Sequence, residues 1–128
     1  MNKDFGGAVT ILVVEDDAAV AELLRAVLNH VPGWGATVVH DAAAAPKVFR
    51  HVRIDVLVLD VNLSGISGLE LLERLRQDPH WDDPTVLLLS AEADQAADRT
   101  REAMHFLTKP FDVDTLVAEV ADAVELKR

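Results

Sequence analysis

The chain contains no cysteine, which excludes disulfides, thiolate metal sites and cysteine nucleophiles together. Its apolar runs, such as residues 11–14 and 86–89, are far too short to span a bilayer. Positive charge is scarce: 12 Lys and Arg stand against 22 Asp and Glu, a formal charge of −10. That balance argues against direct nucleic-acid binding and against attraction to an anionic membrane. Residues 1–7 carry a lysine, an aspartate and two glycines, not the apolar stretch of a signal peptide, and a cytoplasmic location is expected. The five histidines (30, 40, 51, 80 and 105) show no ligand spacing, so neither a zinc site nor a phosphohistidine is expected. Repeats, low-complexity tracts and linkers are also lacking. What remains is an ordinary globular balance, 50% apolar and 27% charged, in 128 residues. One domain over 1–128 follows, with its core from about 9 to 126.

The apolar residues fall in short β-branched blocks separated by stretches of helical period. Residues 9–14 read as a strand buried on both faces, and 17–30 as a helix with Val20, Leu23, Leu24, Val27 and Leu28 on one stripe. A breaker cluster at 31–35 precedes a short edge strand at 37–40. A helix over 42–52 contains Pro46, so it starts late or kinks there. Strands at 55–59, 85–89 and 105–108 alternate with helices at 69–76, 94–104 and 112–125, the last with Leu116, Val117, Val120 and Val124 inward. Trp34 and Trp81 fall in predicted loops and read as packing plugs. Five strands alternating with five helices predict a doubly wound α/β fold, a five-stranded parallel sheet covered on both faces. Such a sheet in the flavodoxin-like order 2-1-3-4-5 binds its ligand at the carboxyl ends of the strands.

The residues at those ends carry the chemistry. The first strand runs into Glu15-Asp16-Asp17, the third ends at Asp60, the fourth at Ser90, and the fifth runs into Lys109-Pro110. Strands one and three are neighbours in this order, about 4.8 Å apart, so Asp16 and Asp60 enter one crevice with Glu15 beside them. Three close carboxylates favour a hard divalent cation with oxygen ligands, Mg²⁺ above all. A dinucleotide would need a glycine-rich turn where these acids stand. A metal-bound carboxylate with a hydroxyl and an ammonium beside it suits a phosphoryl acceptor. Asp60 is then the nucleophile, with Ser90, Lys109 and the N–H groups of Val61 and Ala91 around the phosphoryl oxygens.

Four blocks, Ile11-Leu-Val-Val-Glu-Asp-Asp, Val58-Leu-Asp-Val-Asn-Leu-Ser-Gly-Ile-Ser-Gly, Leu89-Ser-Ala and Phe106-Leu-Thr-Lys-Pro-Phe, resemble the response-regulator receiver domain of two-component signalling (CheY-like). The resemblance implies that Asp60 takes a phosphoryl group from a phosphohistidine of a sensor histidine kinase or a phosphotransfer protein. It implies Mg²⁺ held by Glu15, Asp16, Asp60 and the carbonyl of Asn62, and a cis Lys109–Pro110 bond. It also implies a switch through Ser90 and Phe106, and aspartyl-phosphate lifetime tuned by Asn62 and Glu92. Output would run through the face of the predicted helix 94–104, the fifth strand and the C-terminal helix, to a downstream protein or a fused effector domain. Family members also dimerise through that face. Catalysis would be limited to the domain's own phosphorylation and dephosphorylation. Three departures stand out, one being that Glu102-Ala103-Met104 stands where a glycine usually precedes the fifth strand. Ser64 occupies a position most often proline. The interval from Ser90 to Lys109 is about three residues short, nearly one helical turn. The alternative is a haloacid-dehalogenase-like Mg²⁺-dependent phosphatase with Asp60 as nucleophile, but that family has an aspartate where Asn62 stands.

Overall fold

The structure, a computed structural model, describes residues 8–91 and 104–127. Its elements are β1 (Val9–Val14), α1 (Ala18–His30), β2 (Trp34–Val39), a 3₁₀ turn (Ala42–Ala44), α2 (Ala45–His51), β3 (Val56–Asp60), α3 (Gly68–Arg76), β4 (Thr85–Ser90), β5 (Met104–Thr108) and α4 (Val113–Lys127). All strand pairs are parallel, and the order is β2-β1-β3-β4-β5, as the sequence predicts. The predicted helix at 94–104 lies outside the described residues, except that Met104 opens β5.

Strand alternation divides the interior into two cores. Ile11, Val13, Val56, Val58, Leu87 and Leu89 project to one face, where Leu24 and Leu28 of α1 and Leu116, Val120 and Ala123 of α4 cover them. Leu12, Val14, Leu57, Leu59, Val86 and Leu88 project to the other, against Phe49 of α2 and Leu71, Leu72 and Leu75 of α3. The three central strands are buried on both faces, hence their unbroken apolar spelling. Each fully buried leucine contributes roughly 1.5–3 kcal/mol by leaving water.

Some expectations are corrected. Leu23 is 46% exposed, whereas Val20, Leu24, Val27 and Leu28 pack inward as expected; the stripe also includes the buried Ala21, the member that a search for large apolar residues misses. β2 starts inside the breaker cluster, at Trp34-Gly35, because pairing with Val9 and Thr10 of β1 outweighs the low strand propensity of glycine. Trp34 is therefore a strand residue packed on the first core. Trp81 does plug a loop, its ring 5.5 Å from that of Phe49. The proline difficulty resolves as a late start: Pro46 sits in the first turn of α2 after the 3₁₀ turn, where its missing N–H costs nothing. Asp55 precedes β3 rather than opening it.

β2 is an edge, and Asn29 at the end of α1 covers part of it. The Asn29 amide donates to the carbonyl of Ala36 (3.1 Å) and accepts from its N–H (2.9 Å). Among the described residues no helix is long and apolar enough to cross a membrane.

Candidate functional site

The acids after β1 divide their work. Asp17 caps α1, accepting from the N–H groups of Ala19 (2.9 Å) and Val20 (3.0 Å), the usual role of an acid before a helix. That leaves Glu15 and Asp16 for the crevice. The Val14–Leu59 register sends Glu15 and Asp60 out of adjacent strands at one level. Alternation continues past the core: Glu15 follows Val13, Asp60 follows Val58, and Lys109 follows Leu107, all on the α1/α4 face. Ser90 follows Leu88 on the opposite face, where Phe106 also packs.

The charged side chains meet at the strand ends. Glu15, Asp16 and Asp60 each offer an oxygen, and these lie within 4.8 Å of one another. Lys109 Nζ lies 3.1 Å from Asp60 Oδ2 and 3.3 Å from Glu15 Oε1. Glu15, Asp60 and Ser90 are buried, whereas Asp16 is half-buried and Asn62 exposed. The Lys109–Pro110 peptide is cis.

Burial pushes the Glu15 carboxyl above the usual carboxylate range, and the nearby Asp60 adds to this against the lowering effect of the Asp17 N–H. Burial works against the Lys109 charge, but Asp60 and Glu15 outweigh it and raise the ammonium pKa. Asp16 is held below the usual range, first by the Ser64 hydroxyl and then by the Ser64 N–H. One ammonium among three carboxylates leaves a surplus of negative charge. An all-oxygen donor set with that surplus fits a hard divalent cation.

Two features of the β3–α3 turn differ from the expected picture. The N–H of Val61 does not face the crevice; it donates to the carbonyl of Leu89 at 2.9 Å, extending the ladder. The N–H of Asn62 takes its place, donating to Asp60 Oδ1 at 3.0 Å. Ser64, at the position most often proline, donates to Asp16 Oδ2 from both its N–H (2.8 Å) and its hydroxyl (2.6 Å). The signal in the sequence is a hydroxyl four residues past the acceptor, where proline is more usual. Gly68 opens α3 against the Asp60 backbone, where a Cβ would lie 2.2 Å from the Asp60 carbonyl oxygen. Gly65 takes a φ of 85°, a region that L side chains avoid. Ser90 ends β4, its carbonyl accepting from the N–H of Lys109 at 3.0 Å. Glu92 lies outside the described residues.

Residues 11–121 match the family model of the response regulator receiver domain. The chain belongs to the response regulator receiver family. This receiver domain is 36% identical over 117 residues to the transcriptional regulatory protein TrcR of Mycobacterium tuberculosis (strain ATCC 25618 / H37Rv), an alignment covering 90% of this chain and 45% of TrcR. The chain spans about half the length of the curated relatives it matches. Among solved structures, the receiver domain of Francisella response regulator 1452 superposes with a TM-score of 0.81 at 25% identity, over 94% of this chain and 99% of that one. The response regulator TrrA from Thermotoga maritima, in complex with Mg²⁺-BeF, superposes with a TM-score of 0.76 at 29% identity, over 90% and 98%. This receiver domain therefore has a signalling fold rather than that of a classical enzyme, and the family match gives the phosphatase alternative no support.

Proposed function

We propose that Asp60 accepts a phosphoryl group from a phosphohistidine of a sensor histidine kinase or a phosphotransfer protein, and that the acyl phosphate switches a partner or effector. One observation carries this reading: Lys109 bridges Asp60 and Glu15 beside Asp16, with three carboxylate oxygens within 4.8 Å. An Asp60 oxygen attacks phosphorus, the P–N bond breaks, and the imidazole leaves with a proton from solvent. Lys109, already against Asp60, pairs with a phosphoryl oxygen, and the Asn62 N–H stands ready for another. Ser90, at the end of the adjacent strand, donates to a third.

Glu15, Asp16, Asp60 and the Asn62 carbonyl would hold Mg²⁺, whose part is to offset negative charge gathering between acceptor and phosphoryl group. The Mg²⁺-BeF complex of TrrA supports that ligand class. Phosphorylation adds about two negative charges. Movement of Ser90 and Phe106 toward the acceptor would then alter the face of β5 and α4, which contacts a downstream protein, an effector domain or a second copy. Asn62 and Glu92 set the acyl-phosphate lifetime at seconds to minutes, and the domain speeds only its own phosphorylation and dephosphorylation. The unit is one domain over 1–128, and the lack of cysteine supports a cytoplasmic location.

The test is incubation with Mg²⁺ and acetyl phosphate. One alkali-labile acyl phosphate per chain is expected by intact-mass spectrometry, and Asp60→Asn removes it. A label that survives Asp60→Asn, or turnover of assorted phosphomonoesters, overturns the reading.

A further inference from the structure

The Asp16–Ser64 contact joins two segments 48 residues apart in sequence, and the chemistry described so far makes no use of it. Both donors of Ser64 converge on a single oxygen, Asp16 Oδ2. The other oxygen, Oδ1, takes no part in that contact. A half-buried aspartate side chain on its own samples several rotamers, and two bonds from a fixed backbone position remove that freedom. A proline at 64 could supply neither bond, since it has no N–H and no hydroxyl.

We infer that Ser64 is a positioning residue for the divalent cation: it fixes Asp16 through Oδ2 so that Oδ1 is presented to the metal alongside Glu15 and Asp60. The inference rests on the proposed Mg²⁺ site and adds a residue of this chain to it. Partners that orient a ligating carboxylate typically change metal affinity by about 10–100-fold when removed. Ser64 also belongs to the turn that carries the Asn62 N–H against Asp60, so cation occupancy and the placing of that N–H share one tether.

The experiment is calorimetric titration of the metal-free, unphosphorylated chain with MgCl₂, which reads affinity without reference to phosphorylation. Ser64→Ala keeps the N–H and loses the hydroxyl, and about 10-fold weaker binding is expected. Ser64→Pro loses both donors and is expected to weaken binding further, toward about 100-fold. Ser64→Thr keeps both and should bind within about twofold of the parent. Melting curves in EDTA for all three verify folding; if the proline variant is unfolded, Ser64→Ala, an exposed truncation, decides the matter alone. Parent-like or tighter affinity in Ser64→Ala overturns the role of Ser64 and leaves the Mg²⁺ site standing. Absence of saturable Mg²⁺ binding by the parent chain overturns the site itself, and the role of Ser64 with it.

Discussion

Two buried aspartates lie at opposite ends of one strand, and the charge around them differs sharply. Asp55, just before β3, accepts the N–H of Thr10 at 2.8 Å on one oxygen and has Arg53 at 3.9 Å on the other. Its own N–H and carbonyl join β1 and β4. Asp60, at the far end, has a lysine and a backbone N–H as well, but it shares its crevice with two further carboxylates. Burial and hydrogen bonding are thus common to both. What separates them is the number of acids gathered: Asp55 shares Arg53 with the exposed Asp82, which the guanidinium meets at 2.7 Å, whereas Asp60 stands with two further carboxylates around one ammonium, a surplus that a cation can relieve. A buried acid becomes reactive through the neighbours that leave it in surplus.

Substitution at the two ends should break or sharpen this contrast. The largest effect is expected from Asp60→Asn, which removes acetyl-phosphate labelling altogether, while Asp55→Asn leaves it intact by the same mass measurement. Next comes Gly68→Ala, whose Cβ would meet the Asp60 backbone. The helix must shift away from the acceptor, and a loss of about 3 kcal/mol is expected in urea denaturation. Asp55→Ala should cost about 1 kcal/mol, because the N–H of Thr10 loses its acceptor in a partly buried setting. Glu15→Gln is the smallest and has the opposite sign. Burial raises the Glu15 pKa in the folded chain, so the charged form is disfavoured there. That penalty is absent below the unfolded value of 4.5 and grows as pH rises through the raised one. In EDTA at neutral pH the variant should therefore melt about 2 °C higher, with the gain vanishing in acid. Saturating Mg²⁺ should reverse the order, since the cation stabilises only the chain that binds it.

Most of this arrangement is legible in the amino-acid sequence. The strand order and the meeting of Glu15, Asp16, Asp60 and Lys109 follow from apolar blocks that end in acids and from the topology of a parallel sheet. What escapes such a reading depends on local geometry that composition does not encode. Whether Val61 or Asn62 turns its N–H to the acceptor depends on how far the β3 ladder runs, and it runs one residue further than expected. Ser64 reads as a turn residue because serine suits turns; only the folding of segments 48 residues apart brings it to Asp16. Leu23 is apolar yet exposed and Ala21 is small yet buried, so a search for large apolar residues misplaces one margin of the α1 stripe.

The amide of Asn29 blocks one position on the open side of the sheet. A carboxamide offers the same donor and acceptor as a peptide group, so at Ala36 it imitates one residue of an additional strand. Another chain approaching that margin to extend the sheet must first evict a group already seated there. Self-association along β2 is thereby discouraged at that position from within the fold.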